Sequence, residues 1–459
     1  MDHEDRGRRP GERAELLPAH PRPRPGRRGG RSPGARRPGR ARSRGLRPPR
    51  RNGPRRALLT APLRLRLHAA AGLEPALERE LASFGVAPRS AGRGAVRVEA
   101  GPEEVALLWL GVRAASRAVV EIASGLPADP DELGRALREL PWEEWLPEGV
   151  PWAVRARGRA PRFRHTRFAE RWLKDAIRQA FAARGRVAPP VDPACPGLLV
   201  DFRLSARGAA VGIDPAAGSL HRRAGARAAP APLREDLAAG LAWLARADRP
   251  VRLVDPFCGS GTLIAEAVAV ARRRARTRSL PPALLRLPAF SAVDLDRVRR
   301  GLDARERPLP APAIAADRDP GALRAAVELL RRAGLEEEVR VVPSPVRELR
   351  LPPEPLPTLA LTNPPWGRRL AAGVEEAWRD LGRWVRRELA GGELAVLCGN
   401  ARLTRYLGLR SRRRYPVVAG GITARLCVYP IGPERPRMQP GRPRAGSGAG
   451  PAVEPGSHE

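Results

Sequence analysis

Residues 254–263 read Val-Asp-Pro-Phe-Cys-Gly-Ser-Gly-Thr-Leu, and this stretch decides the fold of the second half of the chain. The apolar run that ends at Asp255 predicts a strand, and the apolar run after Gly261 predicts a helix. Between them, Gly259 and Gly261 allow the backbone to turn sharply and to approach a ligand closely. The new helix then presents free N–H groups to that ligand. The stretch therefore predicts a cofactor loop between a strand and a helix.

Two kinds of nucleotide-binding loop do not fit this stretch. A phosphate-binding loop needs Gly-Lys followed by Ser or Thr, and no lysine stands there. The dinucleotide fingerprint needs a third glycine, which is missing. The loop instead resembles that of Rossmann-like S-adenosylmethionine-dependent methyltransferases. This resemblance implies S-adenosylmethionine as the cofactor, with contacts from Asp255, Phe257, Cys258, Gly259, Gly261 and Thr262.

The segments around this loop repeat a strand followed by a helix. Their strands read as nearly continuous apolar runs, which is typical of parallel strands covered on both faces. The runs are Val251–Asp255, Ala313–Ala316, Val339–Val342, Thr358–Thr362, Glu393–Leu397 and Ile422–Tyr429. The pattern predicts an α/β fold with an open, doubly wound, Rossmann-like sheet.

An acid at the end of the strand after the loop is expected to bind the ribose of the cofactor. No suitable acid lies ~20 residues on, where such sheets normally carry it, because residues 272–312 intervene. The next strand ends at Asp317, which we assign to the ribose, with Asp319 as the fallback. A pair of exposed acids without a ligand is the other interpretation.

A second motif, Thr-Asn-Pro-Pro-Trp-Gly at residues 362–367, follows the fourth strand of this region. Such sheets bind ligands near this point. The prolines, Pro364 and Pro365, remove two N–H donors and stiffen the turn, so the Asn363 side-chain oxygen and the Pro364 carbonyl can accept from one amine. Trp366 offers a flat face for a base, and core packing is its alternative role. The motif predicts a catalytic site for an exocyclic amine of a base.

The residues before the cofactor domain predict a different class of fold. Leu63, Leu65 and Leu67 alternate with polar residues, which is the period of a half-buried strand. Further strands and helices resemble a ferredoxin-like α+β unit followed by a second mixed unit. We expect four segments: a disordered Arg/Pro/Gly-rich tail at 1–57, an N-terminal α+β region at 58–220, the cofactor-binding domain at 221–431 and a disordered tail at 432–459.

The chain is strongly basic, with 84 Lys and Arg against 49 Asp and Glu, a formal net charge of +35. This excess makes a polyanion the first partner to consider. Lys174 is the only lysine, so the abundance of arginine looks like a compositional bias and is weak support by itself. Residues 1–57 hold 19 arginines against five acids, which leaves about +20 on residues 58–431.

The cysteines Cys195, Cys258, Cys398 and Cys427 lie far apart and have no metal-ligand spacing. We therefore expect no metal site and no disulfide framework, which suits a reducing, cytoplasmic compartment. No apolar stretch is long enough for a signal peptide or a membrane span. The sequence also contains no recognisable Ser/His/Asp triad or general base.

Further segments narrow the resemblance to one family. Residues 72–81, Gly-Leu-Glu-Pro-Ala-Leu-Glu-Arg-Glu-Leu, resemble the opening of the THUMP-containing guanine-N2 RNA methyltransferases. Similar to segments of the same family are His165–Phe168, Lys174–Ile177, Ser219–Arg223 and Ala231–Ala239. Residues 287–290 look like the end of an insertion found in its large-subunit ribosomal RNA members. The resemblance covers residues 58–431.

This resemblance implies a ferredoxin-like unit and a THUMP domain that hold structured RNA, and transfer of a methyl group to a guanine amine. It implies that Asp317 binds the ribose and that residues 363–366 bind the target base. Lys174, Arg222 and Arg223 are candidates for phosphate contacts, and solvated surface residues are the alternative. The expected partner is RNA, with ribosomal RNA ahead of transfer RNA, and no membrane.

The sequence departs from this family in three places. The Gly-Tyr-Arg that usually follows Ser219–Arg223 is replaced by Ala-Gly-Ala-Arg at residues 224–227. The acid that would contact the adenine amine is absent and Ser344 stands in its region, so we expect weaker cofactor binding. The second catalytic domain of some members is missing after residue 431, so we expect one modification. An RNA-binding or assembly factor without methyl transfer is therefore the alternative function.

Overall fold

The computed structural model describes residues 62–163, 165–216, 220, 233–366, 373–419 and 421–433, and these form two seven-stranded sheets. The predicted tails lie outside the described residues, apart from 432–433. So do Arg222, Arg223 and the Ala-Gly-Ala-Arg segment at 224–227. The domain limits given above stay predictions.

The first sheet joins the ferredoxin-like unit and the segment after it into one layer. Its strands are β1 (Leu63–His68), β2 (Arg89–Ser90), β3 (Ala95–Ala100), β4 (Arg117–Leu126), β5 (Trp152–Gly158), β6 (Leu198–Ser205) and β7 (Gly208–Asp214). Their order is β2-β3-β1-β4-β7-β6-β5. Neighbours are antiparallel except for β5 and β6, which run parallel.

Helices cover one face of the first sheet. They are α1 (Glu74–Ser83), α2 (Pro102–Gly111), α3 (Pro130–Glu139), α4 (Trp142–Trp145) and α5 (Thr166–Ala183). The predicted alternation in β1 is confirmed, because Leu65 and Leu67 are buried against these helices while Arg64 is exposed. Trp172 of α5 stacks on Phe202 of β6 with ring centroids 6.4 Å apart, so α5 lies on this same apolar face.

The second sheet has the doubly wound order that the apolar runs predict. Its strands are β8 (Arg252–Asp255), β9 (Ala313–Asp317), β10 (Val339–Pro343), β11 (Thr358–Thr362), β12 (Glu393–Cys398), β13 (Arg413–Ala419) and β14 (Ile422–Pro430). Their order is β10-β9-β8-β11-β12-β14-β13, in which only β14 and β13 are antiparallel to their neighbours. The Rossmann-like α/β prediction is confirmed; the edge strand β13 was not predicted.

Both faces of the second sheet are covered. The helices of this half are α6 (Glu235–Leu244), α7 (Thr262–Ala271), α8 (Pro282–Leu285), α9 (Leu295–Asp303), α10 (Pro320–Ala333) and α11 (Val374–Glu388). Leu253 and Leu361 pack into the cluster that holds α6, α7 and α10, while Val254 and Ala360 pack into the cluster that holds α11. Successive residues of β8 and β11 therefore point to opposite apolar layers, which is why these strands read as continuous runs.

The two sheets share one apolar cluster and an ionic link. The cluster runs from β1 and α1 through α6 and α7 without a break. Arg113, which follows α2, donates from Nε and Nη2 to the two carboxylate oxygens of Glu266 on α7, each at 2.9 Å. Both side chains are nearly buried, with 11% and 6% of their surface exposed. The helix after the cofactor loop is thus tied directly to the N-terminal region.

The loop before α1 also reaches the edge of the second sheet. The Val418 amide of β13 donates to the Ala71 carbonyl at 3.0 Å. Gly72 has a positive φ of 93°, and a Cβ atom there would lie 1.9 Å from the Pro416 carbonyl oxygen. Only glycine fits this approach. Among the described helices, none is long and apolar enough to cross a membrane.

Candidate active site

Three predicted site residues meet at one edge of the second sheet. Asp255 ends β8, Asp317 ends β9 and Asn363 follows β11. Because β9, β8 and β11 are parallel neighbours, their carboxyl ends lie side by side. The chain leaves β8 toward β9 on one side and returns at β11 on the other, and such a switch point is where open α/β sheets bind ligands.

The glycine-rich turn has the backbone that the sequence predicts. Gly259 and Gly261 have φ angles of 53° and 80°. A Cβ at Gly259 would point into open space, whereas one at Gly261 would lie 3.1 Å from Ala326, so Gly261 lets α7 pack closely on α10. The first turn of α7 receives no side-chain cap. Its N–H groups are therefore available to a polar or anionic ligand group.

Asp317 is held at this turn by two backbone donors. Its Oδ2 accepts from the Gly259 amide at 2.9 Å and its Oδ1 from the Asp319 amide at 3.0 Å. A carboxylate has about four acceptor positions, so capacity remains for ribose hydroxyls. Asp319 instead caps α10 by accepting from the Gly321 amide at 2.8 Å. The geometry favours Asp317 over Asp319 for a ligand contact.

Asp255 forms hydrogen bonds with residues of both sequence motifs on the buried side of the site. It is buried, and its Oδ1 accepts from the Thr362 hydroxyl at 2.6 Å and from the Phe257 amide at 3.1 Å. Burial raises its pKa to about 7, although these two hydrogen bonds lower it in part. Asp255 therefore positions the cofactor loop relative to Asn363, and Thr362 is a positioning residue that the sequence reasoning did not single out.

The remaining predicted loop residues pack beneath the turn. Cys258 is buried, and its amide donates to the Ala316 carbonyl at 2.9 Å, which fixes the loop to β9. Burial, with the nearby Asp255 and Asp317 carboxyls, raises the pKa of the Cys258 thiol far above its usual value, so it stays protonated. Phe257 is half-buried on the α11 side, and Thr262 is buried at the start of α7.

In this structure, the first and last side chains of the Asn-Pro-Pro-Trp motif are hydrogen-bonded to each other. The Trp366 indole N–H donates to the Asn363 Oδ1 at 2.7 Å. The Trp366 ring lies against Gly399, where a Cβ would come within 2.1 Å of a ring carbon. A base amine that binds Asn363 therefore either replaces the indole as donor or uses the second lone pair of the same oxygen. Gly399 seats the ring, and no signal in the sequence pointed to it.

The prolines hold the backbone of this motif in place. Pro364 is buried, and no described residue donates to its carbonyl oxygen. The Pro365 carbonyl accepts from the indole N–H of Trp378 on α11 at 2.9 Å. Trp378 is fully buried, so the turn is anchored to the core beneath it. The Pro364 carbonyl is thus the acceptor of the motif that the described residues leave open.

Of the predicted RNA-contacting residues, Lys174 can be placed, and it is not part of this edge. Lys174 is half-buried on α5, in the helical layer of the first sheet, and Arg222 and Arg223 lie outside the described residues. Ser344 follows β10, and its amide donates to the Asp317 carbonyl at 3.0 Å. Within the described part of the chain, no group of three His, Cys, Asp or Glu side chains is arranged to hold a metal.

Three family models match successive parts of the chain. The RlmL ferredoxin-like domain matches residues 64–119, the THUMP domain 127–214 and the RMKL-like methyltransferase domain 222–426. A ribosomal RNA large subunit methyltransferase K/L of Syntrophotalea carbinolica is 32% identical over 398 residues, 82% of this chain and 55% of the relative. The chain spans about half the length of the curated relatives it matches.

Two solved structures have the same fold. SMU.472, crystallised in complex with SAH (S-adenosylhomocysteine), gives a TM-score of 0.70 at 23% identity and covers 82% of this chain and 99% of its own. TrmN of Thermus thermophilus gives 0.61 at 27% identity, with 80% and 99% covered. The predicted cofactor, S-adenosylmethionine, is confirmed for this class of domain. The chain thus carries, in order, segments that match a ferredoxin-like domain, a THUMP domain and an RMKL-like methyltransferase domain.

Proposed function

We propose that this chain transfers a methyl group from S-adenosylmethionine to the exocyclic N2 amine of a guanine in large-subunit ribosomal RNA. The observation that carries the proposal is the hydrogen bond between Thr362 and Asp255, which couples a cofactor loop to an amine-accepting motif. The name shared by the curated relatives supports ribosomal RNA as the substrate class. The THUMP match supports an RNA partner.

The described residues fit the cofactor. The uncapped N–H groups of α7 and the open space at Gly259 suit a close approach of its polar end. The Asp317 carboxylate suits the two ribose hydroxyls. Cys258 and Thr262 support the turn from below, and Phe257 flanks it. When bound, the cofactor supplies a methyl group on a positively charged sulfur.

The target base is bound by the Asn-Pro-Pro-Trp motif in this proposal. The amine of guanine donates one hydrogen to the Asn363 oxygen and one to the Pro364 carbonyl, which orients the nitrogen lone pair. The Trp366 ring leaves its hydrogen bond with Asn363 and stacks on the base, a contact worth about 1–3 kcal/mol. Most of the rate comes from holding the nitrogen about 3–3.5 Å from the methyl carbon. The product amine then loses its proton to water.

RNA contacts outside the pocket orient the substrate. Lys174, Arg222 and Arg223 are candidates for contacts with phosphate, and the base must be unstacked to enter the site.

The first experiment tests which base and which RNA are methylated. Undermodified large-subunit ribosomal RNA is incubated with labelled S-adenosylmethionine and digested to nucleosides. We expect label in N2-methylguanosine. Label only in adenine or cytosine derivatives contradicts the base assignment, and label only with a transfer RNA pool contradicts the RNA assignment.

The second experiment tests the motif itself. Asn363→Ala removes the amine acceptor, so we expect transfer to fall on the order of 100-fold or more. Cofactor affinity, measured by isothermal titration, should stay nearly unchanged because Asn363 lies outside the glycine-rich turn. Trp366→Phe is the matched control: it keeps an aromatic face and frees the Asn363 oxygen, so transfer should persist. Equal loss of transfer and cofactor binding in Asn363→Ala would mean that its role is different.

A non-catalytic RNA-binding or assembly factor is the competing function. The observation in its favour is Ser344, which stands in the region where the family carries a cofactor-contacting acid. The same titration separates the two readings. No heat of binding at millimolar S-adenosylmethionine would favour the factor, and saturable binding with methyl transfer would favour the enzyme.

A further inference from the structure

The face of the first sheet opposite its helices carries more arginines than its acids can balance. We call it the charged face. Arg66, Arg97, Arg117, Arg157 and Arg203 lie within 4.0 Å of the buried carboxylates Glu121, Asp201 and Asp214. Five guanidinium groups against three carboxylates leave an excess of about two positive charges, since arginine stays protonated in proteins.

Titratable groups on this face respond to that excess. The pKa of His68 is lowered to about 4, first by burial and then by repulsion from Arg66, Arg117 and Arg203. The pKa of Arg66 is lowered to about 10 by burial and by repulsion from Arg203, although Glu121 raises it in part. Burial is the largest cause of both shifts, and repulsion from the arginines of the charged face adds to it.

A cavity of about 500 Å³ opens at one end of the charged face. It lies where β5 and β6 end and β7 begins, and four arginines line it: Arg97, Arg157, Arg203 and Arg207. Ser124, Ser205, three glycines and the apolar residues Leu204, Ala209 and Ala210 complete the lining, with no acidic side chain among the lining residues. We call it the arginine cavity. Its lining supplies positive charge and small hydrogen-bonding groups, as an anion site requires.

The guanidinium groups of the arginine cavity are held in place. Arg97 Nε lies 2.6 Å from Glu121, and Arg157 Nε lies 3.3 Å from Asp201. A guanidinium has five N–H donors and a carboxylate takes two at most, so donors remain for a further anion. Arg207, in the turn between β6 and β7, makes no ion pair with the described residues. The cavity thus combines fixed donors with one uncommitted cation.

We propose that the arginine cavity binds the phosphodiester backbone of the RNA substrate. The proposal rests on the function proposed above, and it names a contact surface that is separate from Lys174. Planar guanidinium groups match a phosphate in pairs, which lysine cannot do. The Lys174 helix, α5, packs on the opposite face of the sheet, so the two surfaces cannot hold the same stretch of RNA.

Two double variants of the full chain separate these faces. Arg157→Gln with Arg207→Gln removes two charges from the arginine cavity, and Arg171→Gln with Arg178→Gln removes two exposed charges from α5. Binding to an undermodified large-subunit ribosomal RNA fragment is measured at several salt concentrations. We expect the first variant to bind roughly tenfold more weakly at 150 mM salt, with a salt slope smaller by about 2. The second should bind nearly as the parent does.

Three outcomes would overturn the proposal. A larger loss in the α5 variant would put the RNA on the helical face, and equal losses would indicate diffuse attraction by net charge. Binding of inorganic phosphate to the parent, but not to the cavity variant, with RNA affinity the same in both proteins would indicate a small-anion site. An unchanged unfolding temperature confirms that the variants are folded. The assay does not use methyl transfer, so a different methylated base would leave its result intact.

Discussion

The two sheets have the same number of strands but differ in the groups that surround their buried acidic side chains. On the charged face of the first sheet, Glu121 of β4 forms ion pairs with Arg97 of β3 and Arg203 of β6, strands that lie two places away on either side. In the second sheet, Asp255 is buried beside a hydroxyl and an amide, with no cation among its close partners. Burial raises the carboxyl pKa in both sheets, but guanidinium groups oppose this effect at Asp201 and Asp214, whereas at Asp255 only a hydroxyl and an amide oppose it.

The largest expected loss of stability comes from removing the ionic link between the two sheets. Arg113→Met leaves Glu266 on α7 without its two guanidinium hydrogen bonds, and breaking a buried pair in this way costs about 3–5 kcal/mol. Urea unfolding of the full chain should therefore show a large loss in the free energy of unfolding. The double variant with Glu266→Met should recover most of it. A single variant as stable as the parent would show that the link contributes nothing.

A smaller effect on the free energy of unfolding, which depends on pH, is expected from Asp255 of the second sheet. The pKa of Asp255 is raised from 3.8 to about 7, so between these values the native protein holds a proton that the unfolded chain has released. Its contribution to stability is therefore present at acidic pH and is lost as the pH rises to 7. Asp255→Asn removes this dependence and keeps an acceptor for Thr362.

The measurement is the free energy of unfolding of both proteins at pH 5 and pH 8. We expect the variant to gain stability relative to the parent as the pH rises. A difference between the two proteins that does not change with pH would mean that Asp255 is ionised throughout. A change of opposite sign would mean that its charge is stabilised in the fold.

The smallest effect is expected from chemical modification of the cysteines, whose burial also differs between the two sheets. Cys195 is exposed, in the loop before β6 of the first sheet, while Cys258, Cys398 and Cys427 are buried in the second. Burial raises the pKa of the Cys398 thiol to about 11. Iodoacetamide at pH 7.5 should therefore modify one thiol per native chain, without any change in methyl transfer. Mass spectrometry after labelling checks this, and labelling at Cys258 would contradict the burial of the loop.

Local patterns were enough to predict most of the second sheet. The apolar runs, the glycine pair and the Asn-Pro-Pro-Trp motif all depend on neighbours in sequence, and the structure brings Asp255, Asp317 and Asn363 to one edge. The edge strand β13 escaped prediction because Pro416 and two arginines interrupt its pattern. An edge strand tolerates these residues, since its outer side needs no regular pairing.

Contacts between segments that are far apart in the sequence could not be predicted from local patterns. Arg113 and Glu266 are 153 residues apart, and Thr362 and Asp255 are 107 apart. Nothing near Glu121 indicates that Arg97 and Arg203 will surround it, because that arrangement depends on the order of β3, β4 and β6 across the sheet. The closed state of Asn363 and Trp366 was likewise not expected, since the motif was interpreted as facing its substrate.

The contact between Gly72 and β13 bears on how the chain is made. Residues 71 and 72 leave the ribosome more than 300 residues before β13 does, and domains generally fold as they emerge. The last-synthesised edge of the second sheet therefore meets a loop that is already folded and ready to pair with it. A fragment that begins after residue 220 would expose that edge to other chains, where unpaired strands promote aggregation. The N-terminal region thus covers part of the edge of β13 through the contact at Ala71 and Gly72.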